Sequence, residues 1–219
     1  GLTIDHISLE FGSGDGGRGV RLAASARADL RNVHIRAVTG AGVKVSQGGA
    51  FLRLRHALIA DIAPNPSSGF EGHGVDVLSG GSALIEHSRV HHCATAGIYA
   101  SGVDARVRVV GSVVDGTTAN LQAALGDGVF VNLGGKVQVD GSRLANNRMS
   151  GGRVLGLANP ASLVLVGVAI ENQPLPPGAP AAQDTTGAGL LAVGAQANLR
   201  AVATLVRASR TVAVNVVLG

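Results

Sequence analysis

His73 and Asp76 place an imidazole and a carboxylate three residues apart in the stretch Gly-His-Gly-Val-Asp-Val, residues 72–77. Other reactive residue types recur at the same offset from a Gly-Val or Gly-Ile pair. Arg21 follows Gly19-Val20, Lys44 follows Gly42-Val43, Tyr99 follows Gly97-Ile98, and Phe130 follows Gly128-Val129 with Asp127 just ahead of it. A His and a Tyr acting as acid and base, with Lys44 or Arg21 neutralising a carboxylate, can remove a proton beside a uronate carboxyl in a lyase or epimerase. The catalytic candidates are therefore His73, Asp76, Tyr99 and Lys44. Binding asks less of the same residues: Tyr99 and Phe130 stack on a sugar ring while Arg21, Lys44, Asp76 and Asp127 orient it. The plainer reading is that loops simply cover the two rings.

Other clusters carry less. His91-His92-Cys93, with Asp61 and Asp115, contains metal-ligand types. Adjacent residues on a strand point to opposite sides, however, and Cys93 falls in phase with Val38 and Ile62, which predicts an inward thiol and no metal site. Gly12, Gly14 and Gly17 have Gly-x-Gly-x-x-Gly spacing but open onto a strand, so there is no helix N-terminus to hold a pyrophosphate. No cofactor is expected. The +4 formal charge comes from 16 Arg and two Lys scattered among acids. Nucleic-acid binding usually shows a clustered basic stripe with stacking aromatics, so no nucleic-acid partner is expected. The longest apolar stretch, 154–170, is broken by Asn159-Pro160, which argues against membrane insertion. A lone Cys93 permits no internal disulfide.

The elements that must position these residues follow from aligning the chain with itself. The residue before each first strand reads Gly19, Gly42, Gly74, Gly97, Gly128, Arg153, Gly189 and Thr211, at alternating short and long intervals. Such a period signals a solenoid. Each unit has a first strand such as Val43-Lys44-Val45, a second such as Leu52-Arg53-Leu54, a tight corner, and a third strand. The third strands end on Leu9, Ile35, Ile59, Val90, Val114, Leu144, Ile170 and Val206. Alternation of period two throughout, with no helical period, sends side chains alternately into and out of a tube whose inward face is buried only by stacking. The corner reads His6, Asn32, His56, His87, Gly111, Gly141, Gly167 and Ala203, and most of these types tolerate a left-handed backbone. The Gly before each first strand is read as a turn residue.

On these features the chain resembles the right-handed parallel β-helix of the pectin-lyase-like superfamily. It is most similar to Gly-x-Gly-Val repeat proteins of bacterial surface and secreted type. The resemblance implies an all-β, single-stranded right-handed parallel β-helix of about eight coils and three parallel sheets. Residues 1–219 then form one domain, expected to be a segment of a longer solenoid. At roughly 4.8 Å per rung the rod is about 38 Å long. The resemblance also implies a cleft between the third-turn loops and the outward side of the first strands. Long third-turn connections are expected at residues 10–18, 61–73, 115–127 and 171–188. The outward column is expected to be Arg21, Lys44, Asp76, Tyr99, Phe130, Leu155, Leu191 and Ala213, flanked by Arg18, His73, Asp127 and Asn132.

Two-carboxylate hydrolysis needs acids about 5–10 Å apart. Asp76 and Asp127 are two rungs and three residues apart, about 14 Å. Calcium-assisted chemistry needs several converging carboxylates, and the central column has only Asp76. The residues therefore favour a non-catalytic secreted or cell-surface domain that binds or spaces, with an extracellular polysaccharide or surface protein as partner. A uronate lyase or epimerase is the alternative.

Overall fold

The computed structural model describes residues 2–10, 17–122, 125–171, 188–207 and 214–217. The expected connections 10–18 and 171–188 lie mostly outside the described residues, as do most of the Gly12-to-Gly17 run, Thr211, Ala213 and Leu218-Gly219. Among the described residues twenty-four strands form three eight-stranded sheets, and every pairing between them is parallel. Among the described residues there is no helix. Each coil gives one strand to each sheet. His73–Leu78 lies in the first sheet, Ser82–Glu86 in the second and Arg89–Cys93 in the third. The expected β-helix of about eight coils is what the chain forms.

The sequence pattern accounts for the architecture strand by strand. In Phe51–Arg55, Leu52 and Leu54 are fully buried while Phe51, Arg53 and Arg55 face outward. Stacked coils put like on like: Val43 pairs with Val75, Val75 with Ile98, and Ile98 with Val129. The result is one continuous aliphatic core. The third-strand ends align as expected, Leu9 through Val206 in one column. All eight corner residues are left-handed, with φ between 48° and 62°. Just after the corner, Ser88, Ser112 and Ser142 zip three coils together. Ser112 Oγ accepts from Ser88 N, and Ser142 Oγ from Ser112 N, each at 3.1 Å. Their own hydroxyls donate to Val110 O and Asp140 O, so this buried polar column is fully partnered.

Three expectations need correction. The Gly before each first strand does not turn the chain. In the coils of Gly42, Gly74 and Gly128 turning falls to the glycine two residues earlier, with φ 97° at Gly40, 88° at Gly72 and 115° at Gly126. The second glycine gives packing room. A Cβ on Gly42 would lie 2.6 Å from Ile59 Cγ2 and 2.7 Å from Gly74 O, distances no real side chain tolerates.

The register also differs in two coils. Val129 pairs with Gly152, so the strand-preceding residue of the sixth coil is Gly151, not Arg153. Val214 pairs with Leu190, which moves the eighth coil by two residues as well. A shift of two keeps every side chain on its face, so alternation cannot detect it. At Gly152 the missing inward side chain is replaced by Leu163 and Leu190, which close over the position.

Finally, His91 and His92 do not point to opposite sides: their rings stack at 3.6 Å. His92 has φ 48°, and Ala37, Asp61 and Asn146 are left-handed at the same place in their coils. That residue breaks the alternation, after which Cys93 returns inward opposite Ile62.

Candidate functional site

The outward column of the first sheet is Arg21, Lys44, Asp76, Tyr99, Phe130, Arg153, Leu191 and Asn215. Arg153 and Asn215 thus replace Leu155 and Ala213. Leu155 lies instead beside Asn132, one outward position further along. Arg18, His73 and Asp127 share a flanking column as expected. Two third-turn connections stand at the edge of this face. In the first, Gly69 N donates to Asn65 O at 2.7 Å, Asn65 N to Phe70 O at 2.8 Å, and Ser67 N to Asn65 Oδ1 at 2.9 Å. This compact loop leaves Phe70 57% exposed. The second connection holds Leu121, 64% exposed, and its Gln122 Nε2 donates to Ser68 O at 3.0 Å, tying the two loops together.

The charges beneath are paired and largely out of water. Lys44 Nζ lies 3.2 Å from Asp76 Oδ2 and 3.3 Å from Glu71 Oε1, and Arg18 reaches the same Glu71 oxygen at 3.5 Å. Asp76 is 2% exposed. Burial pushes its carboxyl up, but His73 and Lys44 outweigh that and hold it below the usual carboxylate range. The His73 ring stacks on Tyr99 with centroids 4.4 Å apart, and its Nδ1 lies 3.9 Å from Asp76 Oδ2, beyond hydrogen-bond length. Among the described residues neither His73 Nδ1 nor Asp76 Oδ1, both buried, has a hydrogen-bond partner.

Two rungs on, Asp127 is fully buried. Arg153 lies 2.7 Å from its Oδ2, and Ser150 Oγ donates to Oδ1 at 2.6 Å. Burial dominates here and keeps this carboxyl above its usual range despite Arg153 and Ser150.

The structure therefore brings Lys44, His73, Asp76 and Tyr99 together, and gives Asp127 a separate cation. Phe130 is only 6% exposed, and the Arg153 guanidinium lies 4.0 Å over its ring. The ring face that was expected to stack on sugar is occupied by Arg153. Tyr99 stays half-buried, its hydroxyl accepting from Asn132 Nδ2 at 3.2 Å. Arg21 is exposed. Sequence reasoning missed Glu71, Ser150 and Arg153. Glu71 carried a signal, since it directly precedes the Gly-His-Gly-Val motif. Arg153 was hidden by the two-residue slip.

The histidine cluster on the third sheet is paired with acids. Asp115 takes an ion pair from Arg89 at 2.7 Å and lies 3.1 Å from His91 Nδ1, while His92 lies 3.5 Å from Asp61. Cys93 is fully buried, and burial pushes its thiol well above its usual range. Among the described residues no group of three or more His, Cys, Asp or Glu side chains is arranged to hold a metal ion. Comparison with known families finds one whose model, "Right handed beta helix region", matches residues 18–151. No curated protein matches the chain.

Proposed function

Because the chain belongs to the right handed beta helix family, we propose that it is a non-catalytic binding domain that holds an extracellular polysaccharide on the loop-flanked face of its first sheet. The carrying observation is the pair of cross-tied loops that leave Phe70 and Leu121 exposed, the first of which also sets Glu71, next to Phe70 in sequence, against Lys44 of the face. An exposed ring held by a hydrogen-bonded loop offers a sugar a stacking face at little entropic cost. The placing of the carboxylates favours binding over hydrolysis, since Asp76 and Asp127 stand two rungs apart in different columns, wider than a two-carboxylate mechanism uses. A polymer of this kind lies outside the cell, so the reading carries a secreted or surface setting with it.

A second reading rests on one observation, the unpartnered buried atoms of His73 and Asp76. An imidazole there could take a proton from the carbon beside a uronate carboxylate neutralised by Lys44. The adjacent C–O bond then breaks, and the departing oxygen takes a proton from Tyr99.

Both readings are tested by incubating the domain with uronate and neutral polysaccharides and measuring retention, new unsaturated ends and new reducing ends. Retention without new ends is the expected result. Phe70→Ala should then weaken it severalfold, since ring stacking is worth about 0.5–1.5 kcal/mol. Turnover of a uronate polymer, abolished by His73→Ala, would replace the binding reading with the lyase or epimerase one.

A further inference from the structure

The outer face of the second sheet carries a basic trough that none of the preceding chemistry uses. It is open, about 460 Å³, and runs from Phe51 to Val164 across five successive coils. Its floor is apolar or small, with Leu84, Val164 and Ser82 among the lining residues, and its middle rungs raise Arg106, Arg108 and Lys136. A second depression of about 320 Å³ shares Phe51 and continues toward Arg27, Asp29 and Arg53, the last paired with Glu86 at 2.7 Å. The two together follow the long axis of the rod.

The cations here are held differently from those of the first sheet. Arg106 pairs with Asp104 at 3.1 Å and Arg108 with Asp140 at 2.9 Å, but the two arginine side chains are 62% and 59% exposed. Exposed pairs of this kind are worth little, so another anion can displace the carboxylates at small cost. Lys136 and Arg27 pair with no acid among the described residues. The acids of the central coils stand to one side, Glu86 and Asp140 at the corner end of their strands and Asp104 in a turn.

We infer that this trough binds a linear acidic polysaccharide lying along the rod axis, independently of the first-sheet face. Coils repeat at about 4.8 Å, close to the advance per sugar of an extended pyranose chain, so acidic groups on successive sugars meet cations on successive rungs. The aliphatic floor suits the C–H faces of sugar rings. A nucleic acid would want a row of stacking aromatics, and the trough has only the half-buried Phe51.

The test uses a fluorescent galacturonate hexamer, a neutral dextran of equal length and a single-stranded oligonucleotide of equal charge. They are titrated against the wild-type chain, the Arg106→Gln/Lys136→Gln variant and Phe70→Ala, at several salt concentrations. The expected result is salt-sensitive hexamer binding that the double variant weakens about tenfold without a change in melting, and that survives Phe70→Ala. Hexamer binding unaffected by the double variant would overturn the trough while leaving the loop-flanked face standing. Equal binding of dextran, or tighter binding of the oligonucleotide, would overturn the acidic-glycan assignment. Survival of trough binding with no effect of Phe70 on any polysaccharide would leave the trough intact and remove the face reading instead.

Discussion

The outer faces of the first and second sheets are built from the same residue types on the same repeat, yet they treat charge in opposite ways. On the first, Asp127 is fully buried, Asp76 is 2% exposed and the Arg153 side chain 11%. On the second, Arg108 and Arg106 are more than half exposed. The first-sheet face lies against long third-turn connections, and Glu71 reaches onto it from one of them. The second sheet is entered through short turns that leave it open. A charge without water must be partnered or pays heavily, whereas a charge in water pays almost nothing. The first face is thereby a fixed electrostatic structure with a small exposed rim, and the second is an exchangeable one.

The largest effect is expected from removing a buried cation of the first face. Arg153→Met leaves Asp127 buried without its counter-ion and should cost about 3–5 kcal/mol in denaturant unfolding. A loss below about 1 kcal/mol would mean that water reaches Asp127 and that the first face is not closed.

Aromatic truncation is the next largest contrast. Phe130→Ala removes a buried ring beneath a guanidinium and should cost about 3 kcal/mol or more. Phe51→Ala removes a half-buried ring on the second sheet and should cost about 1 kcal/mol. Equal losses would sink the distinction.

Acid separates Asp127 of the first face from Asp29 of the second by sign. Asp29 on the second sheet is held at about 2 against an ordinary 3.8, chiefly by its hydrogen bond to Arg31, with Arg55 also donating. Its folded value is depressed, so its stabilisation is present above pH 3.8 and is lost as pH falls toward about 2. Asp127 is shifted the other way. Its cost is present above its raised folded value and is relieved as pH falls from there toward 3.8. Melting followed from neutral pH to about pH 2 should show Asp29→Asn flattening the lower limb and Asp127→Asn the upper one. Both variants acting on the same limb would contradict the assignment.

The smallest effect is expected for Arg108→Gln, within about 0.5 kcal/mol of the parent, because the Arg108 side chain is 59% exposed and Asp140 keeps its hydrogen bonds from Gln138. A loss of about 2 kcal/mol would show that the second face is as structural as the first.

The sequence by itself determined the coil. Inward Val, Leu and Ile at period two, a corner column of His, Asn and Gly, and third strands ending on aliphatic residues point to a stacked parallel solenoid, and the corner and third-strand columns align as read. It also brought Lys44, Asp76 and Tyr99 into one column, because their offset from Gly-Val is constant. It could not hold the register in the sixth coil, where Gly152 stands in place of an inward Val and a slip of two leaves every side chain on its own face. Arg153 was therefore lost, and with it the reason Phe130 is covered. Nor could it see that His92 takes a left-handed backbone and turns its ring onto His91. Burial was the other decision left to the tertiary structure. Whether an Arg–Asp pair is a surface ornament or a fixed part of the fold depends on how deeply it is buried, 11% and 0% exposed for Arg153 and Asp127 against 62% and 63% for Arg106 and Asp104. Loop position is set by contacts such as Gln122 to Ser68, made between residues 54 apart in the chain.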